Sequence, residues 1–130
     1  MTRFLRGASR APLALLFLSV AACGDSQSPP APSPGNPNLI TITAGGAVSP
    51  RELTVSHGSR VLFVNNHNRR HDMSSDSHPD HLDCPELNQV GVLNPGQSRE
   101  TGNLVTVRSC GFHDHDDPNN NNLRGTITVR

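Results

Sequence analysis

Short apolar runs separated by Gly, Pro, Ser and Asn extend from residue 39 to the end of the chain. In LITITAG, Ile40 and Ile42 fall on one face of an extended chain, and Thr41 and Thr43 fall on the other. ELTV, NLVTVRSC and RGTITVR are short and β-branched, and RVLFVNN is the continuous apolar run of a buried strand. Because no window carries a helical period, the pattern predicts an all-β domain, a small antiparallel sandwich or barrel.

Two polar stretches interrupt this β pattern. NHNRRHDMSSDSHPDHLDCPE, residues 66–86, holds four of the seven histidines, and HDHDDPNNNN, residues 113–122, holds two more. Both stretches are predicted to be loops. Loops on a rigid scaffold are where binding sites are commonly carried, so these two are the candidate functional segments.

The first 22 residues have the order of a secretory signal. Arg3, Arg6 and Arg10 precede the apolar stretch LALLFLSVAA, with no acidic residue among them. Val20-Ala21-Ala22-Cys23 resembles the bacterial lipobox, in which the signal is cut before a cysteine that then receives lipid. The alternative is an ordinary signal peptide cut near Ala22, with Cys23 incidental.

Residues 23–38 are predicted to be a lipidated linker, and residues 39–130 a single domain. The linker's GDSQSPPAPSPGNPN segment has five prolines and no aliphatic residue larger than Ala, so it cannot bury a core. As an extended spacer it would reach roughly 45 Å at about 3.1 Å per residue. The remaining 92 residues are one domain's worth of chain.

The charge and the cysteine content make some functions less plausible for this domain than others. Removing the signal removes three of the eleven basic residues and none of the eleven acidic ones, which leaves a formal charge of −3. A mildly acidic domain without Trp or Tyr is a poor candidate for binding nucleic acid. Export would place the chain in an oxidising compartment, where two thiols tend to form a disulfide.

The order of several segments resembles the cupredoxin family, the blue-copper fold of plastocyanin and azurin. ITAGGAVSPRELTVSHGSRVLFVNN resembles its opening strands, and the Asn-rich strand end before His71 resembles the segment that bears the first copper histidine. LNPGQS is similar to the turn before the penultimate strands. Cys110-Gly111-Phe112-His113 has the plastocyanin-like spacing, and Leu123-Arg124-Gly125-Thr126 resembles Met-x-Gly-Thr.

This resemblance implies a Greek-key β-sandwich or barrel that holds copper. His71, Cys110 and His113 would be the principal ligands, since a thiolate and two imidazoles in a trigonal arrangement suit copper that cycles between two oxidation states. Leu123 stands where the family usually has its axial Met, and it cannot coordinate.

Two further groups of histidines enter the prediction. Residues i and i+2 of an extended chain point the same way, so His115 could join His113 as a fourth ligand, or it could be a solvated loop residue. A second, weaker metal locus could form between residues 67 and 83, from His67, Asp76, His78, Asp80 and His81. The spacing of these residues matches no structural zinc pattern.

The main functional interpretation is an exported, lipid-anchored copper protein at the periplasmic face of a membrane, with the outer membrane favoured. It would be a monomer that carries single electrons to a redox partner protein or handles copper, and not an enzyme. The competing hypothesis is a metal-free cupredoxin-like binding module stapled by a Cys84–Cys110 disulfide, which would remove the copper thiolate. In a further variant the bridge forms only in the absence of copper.

Overall fold

The computed structural model describes residues 37–130. The predicted signal peptide, the lipidated Cys23 and the linker up to residue 36 lie outside the described residues. No helix within residues 37–130 is long and apolar enough to cross a membrane. The described residues form nine strands: β1 (Leu39–Ile42), β2 (Val48–Ser49), β3 (Glu52–Val55), β4 (Leu62–Asn65), β5 (His71–Ser75), β6 (Gly91–Leu93), β7 (Ser98–Glu100), β8 (Ser109–Asp114) and β9 (Gly125–Val129). Two single-turn 3₁₀ helices lie at Leu87–Gln89 and Asn121–Leu123.

The strands form two sheets, ordered β2-β1-β4-β7 and β3-β9-β8-β5-β6. The predicted β-sandwich is confirmed. Both sheets are mixed rather than purely antiparallel, because β1 pairs parallel with β4 and β3 pairs parallel with β9. In both pairs the partners are distant in sequence, and intervening strands supply the crossover that parallel neighbours need.

Apolar side chains from both sheets meet in one core. Phe63 of β4 and Phe112 of β8 contact edge to face, with ring centroids 5.3 Å apart and the ring planes at 88°. Ile40 and Ile42 are fully buried, as the alternation in β1 predicts. Met73 is also fully buried, so its thioether belongs to the core.

Strand β5 lies inside the stretch that the polar sequence predicts to be a loop. That prediction is wrong for His71–Ser75, which pairs with β6 on one side and β8 on the other. Its inward residues include His71 and Ser75, whose polar side chains have hydrogen-bond partners. The Ser75 hydroxyl donates to the carbonyl of Asp76 at 2.7 Å and accepts the N–H of Cys84 at 2.8 Å, and His71 hydrogen-bonds Asp114 at 2.7 Å. A strand whose buried residues are polar and hydrogen-bonded cannot be recognised from the pattern of hydrophobic residues.

The strand predicted over residues 103–110 begins only at Ser109. Leu104 is buried and makes an isolated bridge to Ser59, but Val105 and Val107 are 53% and 67% exposed. The β-branched composition of this segment is typical of a strand, but no neighbouring strand pairs with the segment along its length. A residue composition that favours a strand does not ensure that another strand is available for pairing.

Candidate metal centre

Strand β8 presents different chemistry on its two faces. Cys110, Phe112 and Asp114 point into the sandwich, because alternate residues of a strand share a face. His113, and His115 directly after the strand, therefore point to the outer face of the five-stranded sheet. His113 is nevertheless only 1% exposed, because the segment after β5 packs over it.

Four histidines meet on this outer face, and we call them the four-histidine cluster. One ring nitrogen from each lies within 4.8 Å of one from every other; the members are His78, His81, His113 and His115. His81 and His113 stack with their centroids 5.1 Å apart, and His81 and His115 lie 4.9 Å apart. In residues 37–130 this is the one group of three or more His, Cys, Asp or Glu with such spacing.

The ring of His113 is fixed by a carboxylate, and its other nitrogen is left without a partner. Nδ1 hydrogen-bonds Oδ1 of Asp76 at 2.7 Å. A carboxylate accepts, so Nδ1 carries the proton and Nε2 has the lone pair in the neutral ring. That Nε2 is the one buried side-chain nitrogen or oxygen of the described residues with no hydrogen-bond partner. A histidine that donates one N–H to a carboxylate while its other nitrogen is free has the arrangement of a metal ligand.

Burial lowers the pKa of His113, although the hydrogen bond and negative charge of Asp76 oppose the shift. The charges of His81 and Arg124 add to the lowering of this pKa. The ring is therefore neutral at pH 7, and the lone pair on Nε2 is available to a cation.

Asp76 is held in place by β8, the strand that carries His113. Its N–H donates to the carbonyl of Gly111 at 2.9 Å, and Arg124 lies 3.4 Å from its Oδ1. Its carboxyl group occupies the space above Gly111, where an added Cβ would lie only 2.9 Å from the carboxyl carbon. Glycine at position 111 is thus what allows Asp76 to reach His113.

His81 is fixed in a similar way by the backbone. Its Nδ1 donates to the carbonyl of Ser75 at 2.7 Å, which leaves the lone pair on Nε2. This Nε2 lies 2.8 Å from Nδ1 of His115. His81 has a φ of 53°, a left-handed conformation that few residues adopt without a local reason.

The segment that carries His78 and His81, residues 76–83, is tied to β8 by a covalent bond at its end. Cys84 and Cys110 form a disulfide, and both are fully buried. The segment itself buries little apolar surface, since its Leu82 is 72% exposed. The disulfide therefore joins the two chain segments that supply the four histidines.

The copper triad that the resemblance implies is not assembled. The sulfur of Cys110 is bonded to Cys84, so it cannot act as a thiolate. Cys110 and His113 are also three positions apart in one strand and lie on its opposite faces. In this protein the two residues of the Cys-x-x-His motif lie in different places: Cys110 is in the core, and His113 is on the outer face of the sheet.

His71 lies on the inner side of the same sheet, next to Asp114 rather than next to a cysteine. Its Nδ1 is 2.7 Å from Oδ2 of Asp114, and its Nε2 is 2.8 Å from Nδ1 of His67. His67, His71 and Asp114 line a cavity, and Leu123 lines the same cavity. His71 and Leu123, two of the positions that the resemblance assigned to the copper site, thus line one cavity. The side chain next to His71 in that cavity is the carboxylate of Asp114 and not the thiolate of Cys110.

The locus predicted between residues 67 and 83 is divided between these two places. His78 and His81 belong to the four-histidine cluster, Asp76 supports it, and His67 contacts His71 instead. Asp80 is exposed and is not a member of the cluster. His115 does converge with His113, as the alternation of an extended chain allows.

The comparisons with known proteins concern the fold. No family model and no curated protein matches the chain. Among solved structures, a purple cupredoxin from Nitrosopumilus maritimus superposes with a TM-score of 0.58 at 21% identity, covering 71% of this chain and 98% of that one. Oxidised plastocyanin from Dryopteris crassirhizoma gives 0.55 at 21% identity, covering 71% and 99%. A Cu(I) form of a mutant amicyanin gives 0.52 at 16% identity, covering 71% and 80%.

Each of these similarities covers 71% of the chain. The described region of this protein has the cupredoxin fold, as the order of its sequence segments predicts.

Proposed function

We propose that the protein binds one copper ion tightly through the four-histidine cluster. The observation that carries this proposal is the buried Nε2 of His113, which has no partner and lies among three further imidazoles while its Nδ1 is held by Asp76. An unpartnered buried nitrogen is unfavourable in a folded protein unless something else satisfies it. A cation in the cluster would do so.

The donor set fits Cu(II). Imidazole nitrogens suit copper and zinc, and Cu(II) is bound most tightly among the divalent first-row metals. Two nitrogens about 2.0–2.1 Å from one metal are roughly 2.9 Å apart at a right angle and roughly 3.4 Å apart at a tetrahedral angle. Nε2 of His81 and Nδ1 of His115 form a hydrogen bond of 2.8 Å in this structure, so one Cu(II) ion with ligands at a right angle would replace that bond with little movement of the two rings.

Copper handling is the role that this ligand set favours over electron transfer. The cluster has neither a thiolate nor a thioether, the soft ligands that suit Cu(I), because Cys110 is in a disulfide and Met73 is in the core. His78 and His115 are exposed, so a bound ion would be accessible to exchange with another protein or a small ligand. Electron transfer is the second candidate, since proteins that share this fold include plastocyanin.

We further propose that the chain acts outside the cytoplasm, as a binding protein rather than an enzyme. The signal-like residues 1–22 and the lipobox-like Cys23 support export and a lipid anchor on a bacterial membrane, with the linker holding the domain away from the lipid surface. The Cys84–Cys110 disulfide is consistent with an oxidising compartment. The partner would be a copper donor, acceptor or redox protein.

Titration of the mature chain with Cu(II) tests the function. The Cys23→Ser variant of the chain from residue 23 onward keeps the domain and removes the lipid. With the first equivalent of Cu(II) we expect an electron paramagnetic resonance spectrum with nitrogen hyperfine structure, weak visible absorption and no free thiol. An intense thiolate absorption band that disappears in Cys110→Ser would refute the proposed site.

Gly111→Ala should weaken copper binding without touching a ligand. A methyl group at position 111 would displace the Asp76 carboxyl group, and loss of such an outer partner typically lowers metal affinity by roughly 10–100-fold. We expect a change near the lower end of this range, measured by competition with a chelator of known affinity. Gly45→Ala is the control, because an added Cβ there meets nothing closer than 3.9 Å. Equal affinities in the two variants would contradict the role of Asp76.

A further inference from the structure

A cavity of about 640 Å³ lies beside the four-histidine cluster. Two members of the cluster, His78 and His113, form part of its wall. The rest of the wall includes two carboxylates, a guanidinium, a hydroxyl and a side-chain amide, from Asp76, Asp83, Arg124, Ser77 and Asn119. Several of these residues are exposed, so a small solute can enter from solvent and reach the cluster.

Arg124 is the one basic residue of this wall other than the histidines. A guanidinium has five N–H donors. Within residues 37–130 the side chain of Arg124 makes one polar contact, with Oδ1 of Asp76 at 3.4 Å. That contact is long, and the same oxygen already accepts the N–H of His113 at 2.7 Å. Most of the donors of Arg124 are therefore available to a further acceptor.

The backbone that carries Arg124 is held by a second arginine. Nε of Arg51 donates to the carbonyl of Arg124 at 3.3 Å, and its Nη2 donates to the carbonyl of Asn121 at 2.7 Å. The chain passes so close to Arg51 that a Cβ added at Gly125 would lie only 2.5 Å from the Arg51 carbonyl oxygen. The guanidinium of Arg124 thus extends from a fixed point of the cavity wall.

Two neutral side chains add donors to the same wall. The hydroxyl of Ser77 and the amide of Asn119 make no hydrogen bond to another described residue. Each can donate one or more N–H or O–H bonds to an oxygen atom. The cavity thus has three kinds of donor that a bound oxyanion could use.

A divalent ion in the cluster would reverse the charge around this cavity. Imidazoles bind metals as neutral ligands, so they leave the charge of the ion unchanged. Without an ion, Asp76 and Asp83 outweigh Arg124 by one negative charge. With a divalent ion the same groups are left with one positive charge, which one monovalent anion balances. The cavity therefore repels anions when the cluster is empty and attracts them when it is filled.

We propose that this cavity binds one small oxyanion of the carboxylate or bicarbonate class when the four-histidine cluster holds its divalent ion. The inference rests on the proposed function. Arg124 anchors the anion, because a guanidinium matches two oxygens on one carbon in a two-point contact. Binding is reciprocal, so the anion raises the affinity of the cluster for the metal by the same factor. The alternative is that Arg124 only steadies Asp76.

The Cu(II) affinity of the mature chain in different salts tests the anion site. The Cys23→Ser chain competes with a chelator in perchlorate, in acetate and in bicarbonate at one ionic strength, with correction for copper bound by the anion itself. We expect acetate or bicarbonate to raise the affinity about tenfold over perchlorate, within the range typical of coupled ligands. The anion with the larger effect shows which class the site prefers. Calorimetric titration of the metal-free chain with that anion should give no binding heat.

Substitutions of Arg124 separate the two roles of this side chain. Arg124→Gln should lose the dependence on the anion, and Arg124→Lys, which keeps the charge without the two-point contact, should retain part of it. Arg99→Gln is the control, because Arg99 is exposed on β7 in the other sheet, and it should behave as the wild type. If Arg124 only steadies Asp76, Arg124→Gln lowers the affinity by the same factor in all three salts. That result would overturn the inference.

The wild type distinguishes failure of this inference from failure of the proposed function. Tight binding of Cu(II) by the four histidines with equal affinity in all three salts would overturn the anion site and leave the proposed function intact. The absence of a tight Cu(II) site in every salt would overturn both. The His113→Ala/His115→Ala variant should show no effect of the anion, because it lacks the ion that attracts it.

Discussion

Replacing His113 and His115 together with alanine is expected to lower the Cu(II) affinity of the tight site by more than a hundredfold. Loss of an outer partner alone typically lowers metal affinity by about 10–100-fold, and this change removes two of the four ligands themselves. The remaining His78 and His81 lie on one short segment and cannot surround an ion. Competition with a chelator gives the affinity.

The controls for this double variant use histidines outside the cluster. His57→Ala should bind the first equivalent of copper as tightly as the wild type, because His57 is exposed in a turn. Circular dichroism and thermal melting should show that the double variant still folds, since His115 is exposed and His113 points away from the core. A folded double variant with wild-type affinity for the first equivalent would exclude the four-histidine cluster.

Replacing Cys84 and Cys110 together with alanine is expected to lower the free energy of unfolding by roughly 3.5 kcal/mol. The bond joins residues 26 positions apart, and closing a loop of this size constrains the unfolded chain by about that amount in the chain-entropy estimate. Urea denaturation followed by circular dichroism measures the change. Reduced wild-type protein is the matched control, because it lacks the bond but keeps both sulfur atoms.

The same double cysteine variant distinguishes a structural sulfur from a ligand. If Cys110 serves only the disulfide, the folded variant keeps the nitrogen hyperfine pattern of bound Cu(II), with a lower affinity because residues 76–83 are less well anchored. We expect the affinity to fall about tenfold, as for loss of other groups that position ligands. Loss of stability without any loss of affinity would show that the disulfide does not position the site. A changed set of copper ligands would show that a cysteine binds the metal.

The sequence contained enough information for the fold and for part of the site. The alternation of Ile40 and Ile42 and the order of the apolar segments predict the sandwich, because burial on one face of a strand imposes a period of two. The same period allows His113 and His115 to converge, which the structure shows them to do. It also indicates that Cys110 and His113 cannot share an ion if both lie in one strand, a constraint that the Cys-x-x-His motif obscures.

The rest of the site depends on contacts between distant segments. Nothing in the local pattern shows that residues 76–83 fold back over His113, or that Asp76 occupies the space above Gly111. β5 is hidden because its inward His71 and Ser75 are polar, and the partner of the His71 ring, Asp114, lies 43 residues away along the chain. Such pairings are set by tertiary structure, which propensity and spacing do not determine.

The competing hypotheses of a copper protein and a disulfide-stapled module turn out not to exclude each other. They conflict only if Cys110 is the copper ligand. With the histidines on the outer face of β8 and the disulfide on its inner face, one strand can serve both roles. The bond then fixes the segment whose histidines complete the cluster.

The position of copper in a crystal of the mature domain tests the central claim most directly. Crystals grown with one equivalent of Cu(II) per chain, and measured on both sides of the copper absorption edge, would locate the ion by its anomalous scattering. We predict a single strong peak bounded by His78, His81, His113 and His115, with the Cys84–Cys110 disulfide intact. A strong peak beside Cys110, with that disulfide broken, would contradict the account.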